Sequence, residues 1–136
     1  MSGLAIIVAF LVSFVIAQGI KTLTAVCRGE KNIKKYLLGS GGMPSGHSAG
    51  ITAATTCIGL MEGVDSSLFG LSVVMAAIII YDSVNVRYAV GEQGKILFHM
   101  TKKKMKIVEG HTRREVLVGI CLGAVVGWII YIIFGA

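Results

Sequence analysis

The sequence predicts an all-α integral membrane protein, a bundle of about four transmembrane helices with one interfacial amphipathic segment. Apolar residues form 54% of the 136 residues, and the mean hydropathy is +0.79. A soluble domain of this size needs a larger polar share to cover its surface. Charged side chains are also absent from four long segments, Met1–Ile20, Tyr36–Met61, Ser66–Tyr81 and Val116–Ala136. We therefore expect residues 1–136 to form a single membrane-embedded domain.

The first predicted helix begins with Leu4–Ile20, a run of uncharged and mostly apolar residues. Crossing an apolar core of about 30 Å takes roughly 20 helical residues, so this helix should continue past Lys21 towards Arg28. A cleaved signal peptide is the alternative interpretation. It is disfavoured because no basic residue precedes the run and no small-x-small cleavage site follows it before Lys21.

The remaining elements follow from the alternation of polar and apolar stretches. Gly29–Gly46 is predicted to be a loop, and His47–Met61 a short helix that is tilted or begins inside the protein. After a polar turn at Glu62–Asp65, a third helix is expected over Ser66–Tyr88. Val116–Phe134 supplies a fourth span of apolar residues.

The segment Gln93–Val108 mixes five lysines with apolar side chains, namely Ile96, Leu97, Met100, Ile107 and Val108. This pattern is typical of a segment that lies on an anionic membrane surface, so anionic lipids are expected partners. A solvated basic loop fits the same pattern, and the sequence leaves both interpretations open.

The basic residues predict the orientation of the bundle. All 13 Lys and Arg residues fall within Lys21–Lys35 or Arg87–Arg114, and two spans separate these intervals. The positive-inside rule then places both intervals on the cytoplasmic side. The Glu62–Asp65 turn and both termini should face outward. The net charge of +6 could indicate nucleic-acid binding, but its confinement to the ends of predicted spans argues against that partner.

Three polar clusters should meet at that side. Lys21 and Arg28 are seven residues apart, so they lie on nearly the same helix face about 10 Å apart. The Gly-rich loop that ends in Ser45 and Gly46 directly precedes a helix, whose first amides attract anions. His111 and Glu115 are four apart and can meet on a helix.

These residue types are those that phosphoryl transfer through a histidine requires. A carboxylate that holds one imidazole nitrogen leaves the other as a nucleophile or base. A second histidine, His47, could protonate the leaving oxygen, while cations and amides stabilise charge on the phosphoryl oxygens.

In this order, three motifs resemble the signatures of the type-2 phosphatidic acid phosphatase and vanadium haloperoxidase superfamily. They are Lys21-x6-Arg28, Pro44-Ser-Gly-His-Ser48 and His111-x3-Glu115. The stretches Ser83-Val-Asn-Val-Arg87, Gly91-Glu-Gln93 and Gly110-His-Thr look more like its small divergent bacterial and plant branch. The likeness runs from about Gln18 to Gly127.

The resemblance implies a role for each matching residue. His111 would form a phosphohistidine, Glu115 would orient it, and His47 would be the general acid. The phosphate would be held by Lys21, Arg28 and the backbone around Ser45 and Gly46.

The chain departs from the family pattern at four points. Gly29 replaces the usual Pro of the first motif, and Glu115 replaces the usual Asp of the third. Met105 stands where the third motif carries an Arg, and Arg87 is the nearest substitute at the same membrane face. The family commonly has six spans, against four found in this chain.

The resemblance thus implies a cofactor-free, metal-independent phosphatase of the plasma membrane. The distribution of basic residues, not the resemblance, predicts that its site lies on the cytoplasmic side. Its substrate would be a lipid phosphate such as phosphatidylglycerophosphate, phosphatidate or a polyprenyl diphosphate. A small oligomeric transporter or channel with a polar path along His47, His111 and Glu115 is the alternative function. A metal site made of the same three residues ranks last, because the neighbouring cations would repel a divalent ion.

Three further observations bear on the site. Asp82, at the end of a span, is either a functional polar residue or the partner of a cation such as Lys21 or Arg87. His99 stands outside the motifs and is interpreted as structural. A ridge of small residues, Gly119, Gly123 and Gly127, continues the helix row of His111 and Glu115. Small residues at this spacing permit close helix contact in lipid, so this face should point into the bundle or into a homo-oligomer contact.

Overall fold

The computed structural model describes residues 2–30, 42–103 and 110–135, and within these ranges every regular element is helical. The helices are α1 (Ser2–Cys27), α2 (Gly46–Glu62), α3 (Ser67–Tyr81), α4 (Arg87–Thr101) and α5 (Arg113–Gly135). A π-helical turn, Asp82–Val86, joins α3 to α4 without a break. The prediction of an all-α membrane bundle is confirmed.

Three helical stretches are long and apolar enough to cross a membrane: Gly3–Cys27, Ser67–Thr101 and Arg113–Gly135. They correspond to the first, third and fourth predicted spans. The second predicted span is α2, whose 17 residues extend only about 26 Å at 1.5 Å per residue. It packs against α1, α3 and α5 and is the central helix of the bundle. Gly46 and Ser48 in its first turn are buried, which agrees with one of the two predicted alternatives, a start inside the protein.

The third helix is longer than predicted. It was expected to end near Tyr88, but it continues through the π turn to Thr101, giving 35 consecutive helical residues. Such a helix is about 52 Å long, well beyond an apolar core of about 30 Å, so one end must leave the lipid. The first part of the predicted interfacial segment is therefore the exposed end of this helix. Residues 104–109, including Met105, lie outside the described residues.

Contacts between side chains establish the helix directions. Phe14 lies against Gly46 and Phe10 against Gly50, so α1 and α2 are antiparallel. The hydroxyl of Thr55 donates to the carbonyl of Ser72 at 3.4 Å. With the contact of the Phe69 ring and Gly59, this makes α2 and α3 antiparallel too. In the part of the chain described, the end of α1, the start of α2 and the end of α3 therefore lie at the same end of the bundle.

The glycine ridge of α5 faces α2 and runs parallel to it. A methyl group built on Gly119 would lie 2.7 Å from the carbonyl oxygen of Ser45, and one built on Gly127 would lie 2.5 Å from that of Ala53. Because no side chain separates the backbones, the two helices cross in direct contact. The ridge therefore faces the interior of the bundle, as the sequence pattern predicted.

Gly123→Ala is expected to lower thermal stability, because the added methyl would collide with the carbonyl of Ala49. Overpacking a close-packed interior costs about 1–3 kcal/mol. Gly70→Ala on α3 is the matched control, because its added methyl meets nothing within 4 Å. Replacing Gly by Ala in a helix stabilises it by roughly 1 kcal/mol through helix propensity. Thermal unfolding in detergent measures both variants, and equal melting temperatures would contradict the close crossing.

Candidate functional site

Five segments meet at one end of the bundle and surround a cavity of about 100 Å³. They are the start of α2, the end of α3, the π turn, the start of α4 and the stretch before α5. The cavity is lined by His47, Ile79, Asp82, Ser83, Arg87 and His111. The structure thus brings both candidate histidines and the proposed substitute arginine to the same space.

The loop before α2 is held against α5 by its backbone. Ser45 caps α2 in an extended conformation, and its hydroxyl accepts the N–H of Ser48 at 3.4 Å and lies 3.0 Å from the Ser48 hydroxyl. The Ser45 N–H donates to the carbonyl of Glu115 at 3.1 Å. Since the first amides of a helix have no partner within it, Gly46 and His47 supply the amides that remain available to an anion. Ser45 itself fixes the loop.

His111 is held in place from its backbone. Its N–H donates to the carbonyl of Ser83 at 3.1 Å, and the residue is only 3% exposed. The preceding Gly110 lies so close to α4 that a methyl group there would collide with the backbone of Arg87 and Tyr88. The sequence Gly-His is therefore required for the chain to seat the imidazole against the π turn.

The predicted pair of His111 and Glu115 forms. The Nδ1 of His111 lies 3.3 Å from the Oε2 of Glu115. The same oxygen accepts the N–H of Thr112 at 2.9 Å, while the Thr112 hydroxyl accepts the N–H of Glu115 at 3.4 Å. This reciprocal pair is a capping box, for which Thr-x-x-Glu is the sequence signature. The box holds the carboxylate next to the ring, and Nε2 is left for chemistry.

Burial lowers the pKa of His111 below its ordinary value, because the charged imidazolium is poorly solvated there. The hydrogen bond and negative charge of Glu115 oppose this shift, while the charges of Lys21 and His47 add to it. A lowered pKa keeps the ring neutral at neutral pH, which is the form that a nucleophile requires.

The pKa of His111 should move in opposite directions when its two charged neighbours are neutralised. Glu115→Gln keeps a capping-box residue but removes the negative charge, so the pKa should fall further. Lys21→Met removes a positive charge, so the pKa should rise. NMR titration of the His111 ring measures both shifts independently of activity. Shifts of the same sign in both variants would contradict the arrangement.

The π turn determines how Arg87 is presented. In this turn the N–H of Arg87 donates to the carbonyl of Asp82, five residues earlier. Because a π turn pairs residues five apart, side chains at this spacing lie closer to the same face than they do in an α-helix. The Nε of Arg87 lies 2.6 Å from the Oδ2 of Asp82. Asp82 is therefore the partner of a cation, as one of its two interpretations predicted. Because a guanidinium has five N–H donors, the pair leaves the outer donors of Arg87 for an anion.

The other predicted phosphate ligands differ in position. Lys21 is 4% exposed on α1, and its charge interacts with Glu115, His111 and His47. Arg28 follows the end of α1, is exposed, and does not line the cavity. Of the first motif, the structure thus brings Lys21 but not Arg28 to the histidines.

Three features near the cavity were not predicted from the sequence. The Phe14 ring stands edge-on to His47, with 5.7 Å between ring centroids. Thr112 completes the capping box. The sequence pattern Thr-x-x-Glu could have predicted this box. Ser83 lines the cavity, and its carbonyl anchors His111. Among the described residues, no three His, Cys, Asp or Glu side chains cluster closely enough to hold a metal ion.

The chain has two similarities to known proteins. A family model described as "Divergent PAP2 family" matches residues 3–126. An uncharacterized membrane protein of Bacillus subtilis strain 168, YuiD, is 38% identical over 87 residues, which cover 64% of this chain and 55% of the relative. The match thus spans about half the length of that relative. No solved structure gives a significant match.

Proposed function

Because this chain belongs to the divergent PAP2 family, we propose that it is a membrane phosphatase that hydrolyses a lipid phosphate through a phosphohistidine. The observation that carries the proposal is the meeting of His47, Arg87 and His111 around one cavity at the end of an apolar bundle. His111 is buried and paired with a carboxylate, whereas His47 is exposed. The environment of His111 suits a nucleophile. Desolvation and the charges of Arg87 and Lys21 lower the pKa of His47, so its role as a proton donor depends on the negative charge of a bound phosphate, which raises that pKa.

In the first step, Nε2 of His111 attacks phosphorus and the bond from phosphorus to the lipid oxygen breaks. Protonated His47 gives its proton to the leaving oxygen. Glu115 accepts the Nδ1–H of His111 and stabilises the positive charge that develops on the ring. Lys21, Arg87 and the free amides at the start of α2 stabilise the phosphoryl oxygens.

In the second step, His47 is neutral and accepts a proton from a water molecule. The water oxygen attacks phosphorus, and the bond to Nε2 of His111 breaks. Inorganic phosphate leaves, and both histidines return to their starting states. The two steps need neither a metal ion nor a redox cofactor, which agrees with the roles implied by the family resemblance.

An apolar groove at the same end of the bundle as the cavity supports a lipid as the substrate. It has a volume of about 370 Å³ and lies between α1 and α5. Its lining residues are Ile20, Thr24, Met43, Pro44, Val118, Cys121, Leu122 and Val125. Pro44 directly precedes the capping Ser45, so a lipid tail in the groove would place its headgroup next to the start of α2.

Phosphate release from a panel of lipid phosphates tests the function. Purified protein in detergent should release phosphate from at least one of phosphatidylglycerophosphate, phosphatidate and a polyprenyl diphosphate. Release should persist in chelator and, in a separate reaction, be blocked by vanadate. Solute flux in proteoliposomes without any phosphate release would instead favour the transporter or channel interpretation.

The orientation of the site is a separate proposal. The protein lies in the plasma membrane, and its cavity opens on the cytoplasmic side. A mid-membrane Lys or Arg costs about 2.5–3.5 kcal/mol on the insertion scale, and basic loops face inward. In a cysteine-free background, Asp65→Cys should react with an impermeant thiol reagent added to intact spheroplasts. Lys103→Cys should react only after lysis. The reverse pattern would place the site outside and favour recycled polyprenyl diphosphates as substrates.

A further inference from the structure

The π turn places Ser83, which carries a buried hydroxyl group, in the wall of the cavity. Ser83 is 3% exposed, and its Oγ is completely buried without a hydrogen-bond partner among the described residues. The residue lines the cavity together with His47, Arg87 and His111. A buried hydroxyl without a partner is costly, so its presence beside charged residues calls for a ligand.

Three threonine hydroxyl groups of the helices show the usual way in which such a group is satisfied. Thr22, Thr24 and Thr101 each donate to the carbonyl four residues earlier, at 2.8, 2.7 and 2.8 Å. This is the ordinary partner of a helical Ser or Thr. Ser83 lies in the π turn, where the backbone pairing shifts by one residue. Its hydroxyl remains unpaired even though its carbonyl is bonded to His111.

On this basis, and resting on the proposed function, we propose that the Ser83 hydroxyl binds the phosphoryl group by donating a hydrogen bond to one of its oxygens. The ligand class is a tetrahedral oxyanion. The cavity of about 100 Å³ is several times the roughly 10–15 Å³ that one water needs. Arg87 supplies charge from the same wall, and Ser83, four residues before it in the chain, supplies a neutral donor.

A second buried serine provides a matched control. Ser13, on α1, is 0% exposed, and its Oγ likewise lacks a hydrogen-bond partner among the described residues. It does not line the cavity. Removing either hydroxyl eliminates an unsatisfied polar group, so neither Ser83→Ala nor Ser13→Ala should lower the melting temperature of the free protein.

Orthovanadate binding by the purified protein in detergent separates the two variants. Ligand-dependent thermal shifts give the dissociation constant for each protein. Ser83→Ala should weaken vanadate binding by about 10- to 100-fold, as expected for a hydrogen bond to a charged group. Ser13→Ala should bind vanadate like the parent. For lipid phosphates, Ser83→Ala should also raise KM or lower kcat.

Two outcomes would overturn the assignment of Ser83. The first is parent-like vanadate affinity in Ser83→Ala, which leaves the phosphatase proposal standing if the parent hydrolyses lipid phosphates. The second is a lower melting temperature of free Ser83→Ala, because it would mean that the hydroxyl already has a structural partner. Absence of both vanadate binding and hydrolysis in the parent would overturn the proposed function together with this inference.

Discussion

His111→Ala is expected to abolish turnover and phosphoenzyme formation. Among the described residues that line the cavity, His111 is the buried histidine with a carboxylate partner, at 3.3 Å from Glu115. Among the described residues of the cavity wall, its removal leaves His47, which is assigned to proton transfer, and no carboxylate-paired histidine to form the covalent intermediate. Phosphate release and acid-labile labelling of the protein by a phosphorus-labelled substrate measure the two effects.

His99→Ala is the control for this variant. His99 is exposed on α4 and its ring contacts Phe98 edge-on, with 6.0 Å between ring centroids. Its loss should leave turnover unchanged. Because His111 is buried, the melting temperature and helical circular dichroism of His111→Ala are measured as well. A folded His111→Ala protein with parent-like activity would refute the assigned chemistry.

His47→Ala should slow turnover by about 10²–10⁴-fold, the usual contribution of a general acid. The effect should depend on the leaving group, because a good leaving group needs no proton. The structure supports a test of this kind, since His47 is exposed at the cavity and its loss removes no buried hydrogen bond that the structure records. Turnover of a lipid phosphate compared with an aryl phosphate measures this dependence.

Phe14→Leu is the companion to His47→Ala. Phe14 contacts the His47 ring edge-on, and Leu retains apolar bulk there without offering an aromatic surface. It should reduce activity far less than the loss of His47 does. If His47→Ala slows both substrates equally, His47 contributes to binding or positioning and does not protonate the leaving oxygen.

Much of the fold was predictable because a helix that crosses a membrane requires a long stretch of apolar, uncharged residues. The long uncharged stretches marked α1, α3 and α5, and the short length of α2 indicated a helix that is tilted or begins inside the protein. The spacing of Gly119, Gly123 and Gly127 predicted a face that contacts another helix. His111 and Glu115 were predicted to meet because residues four apart on a helix are neighbours, and they do.

The site's details depended on contacts between distant segments. A hydrophobicity pattern cannot show that Ser45 donates to the carbonyl of Glu115, or that His111 donates to that of Ser83. These bonds join residues far apart in the chain. The same limit applies to Arg28, which shares a helix face with Lys21 by spacing but lies beyond the end of α1 and away from the cavity.

The sequence by itself determined the class of the protein, the family and most helix positions, because apolar length and motif order are local properties. Only the tertiary structure decided that the third helix continues to Thr101 through a π turn. That turn shifts the backbone pairing by one residue, which brings Asp82 and Arg87 into contact and leaves the Ser83 hydroxyl unpaired beside the cavity. The chain before α5 contacts this turn through the bond from the His111 N–H to the Ser83 carbonyl, which joins residues far apart in the sequence.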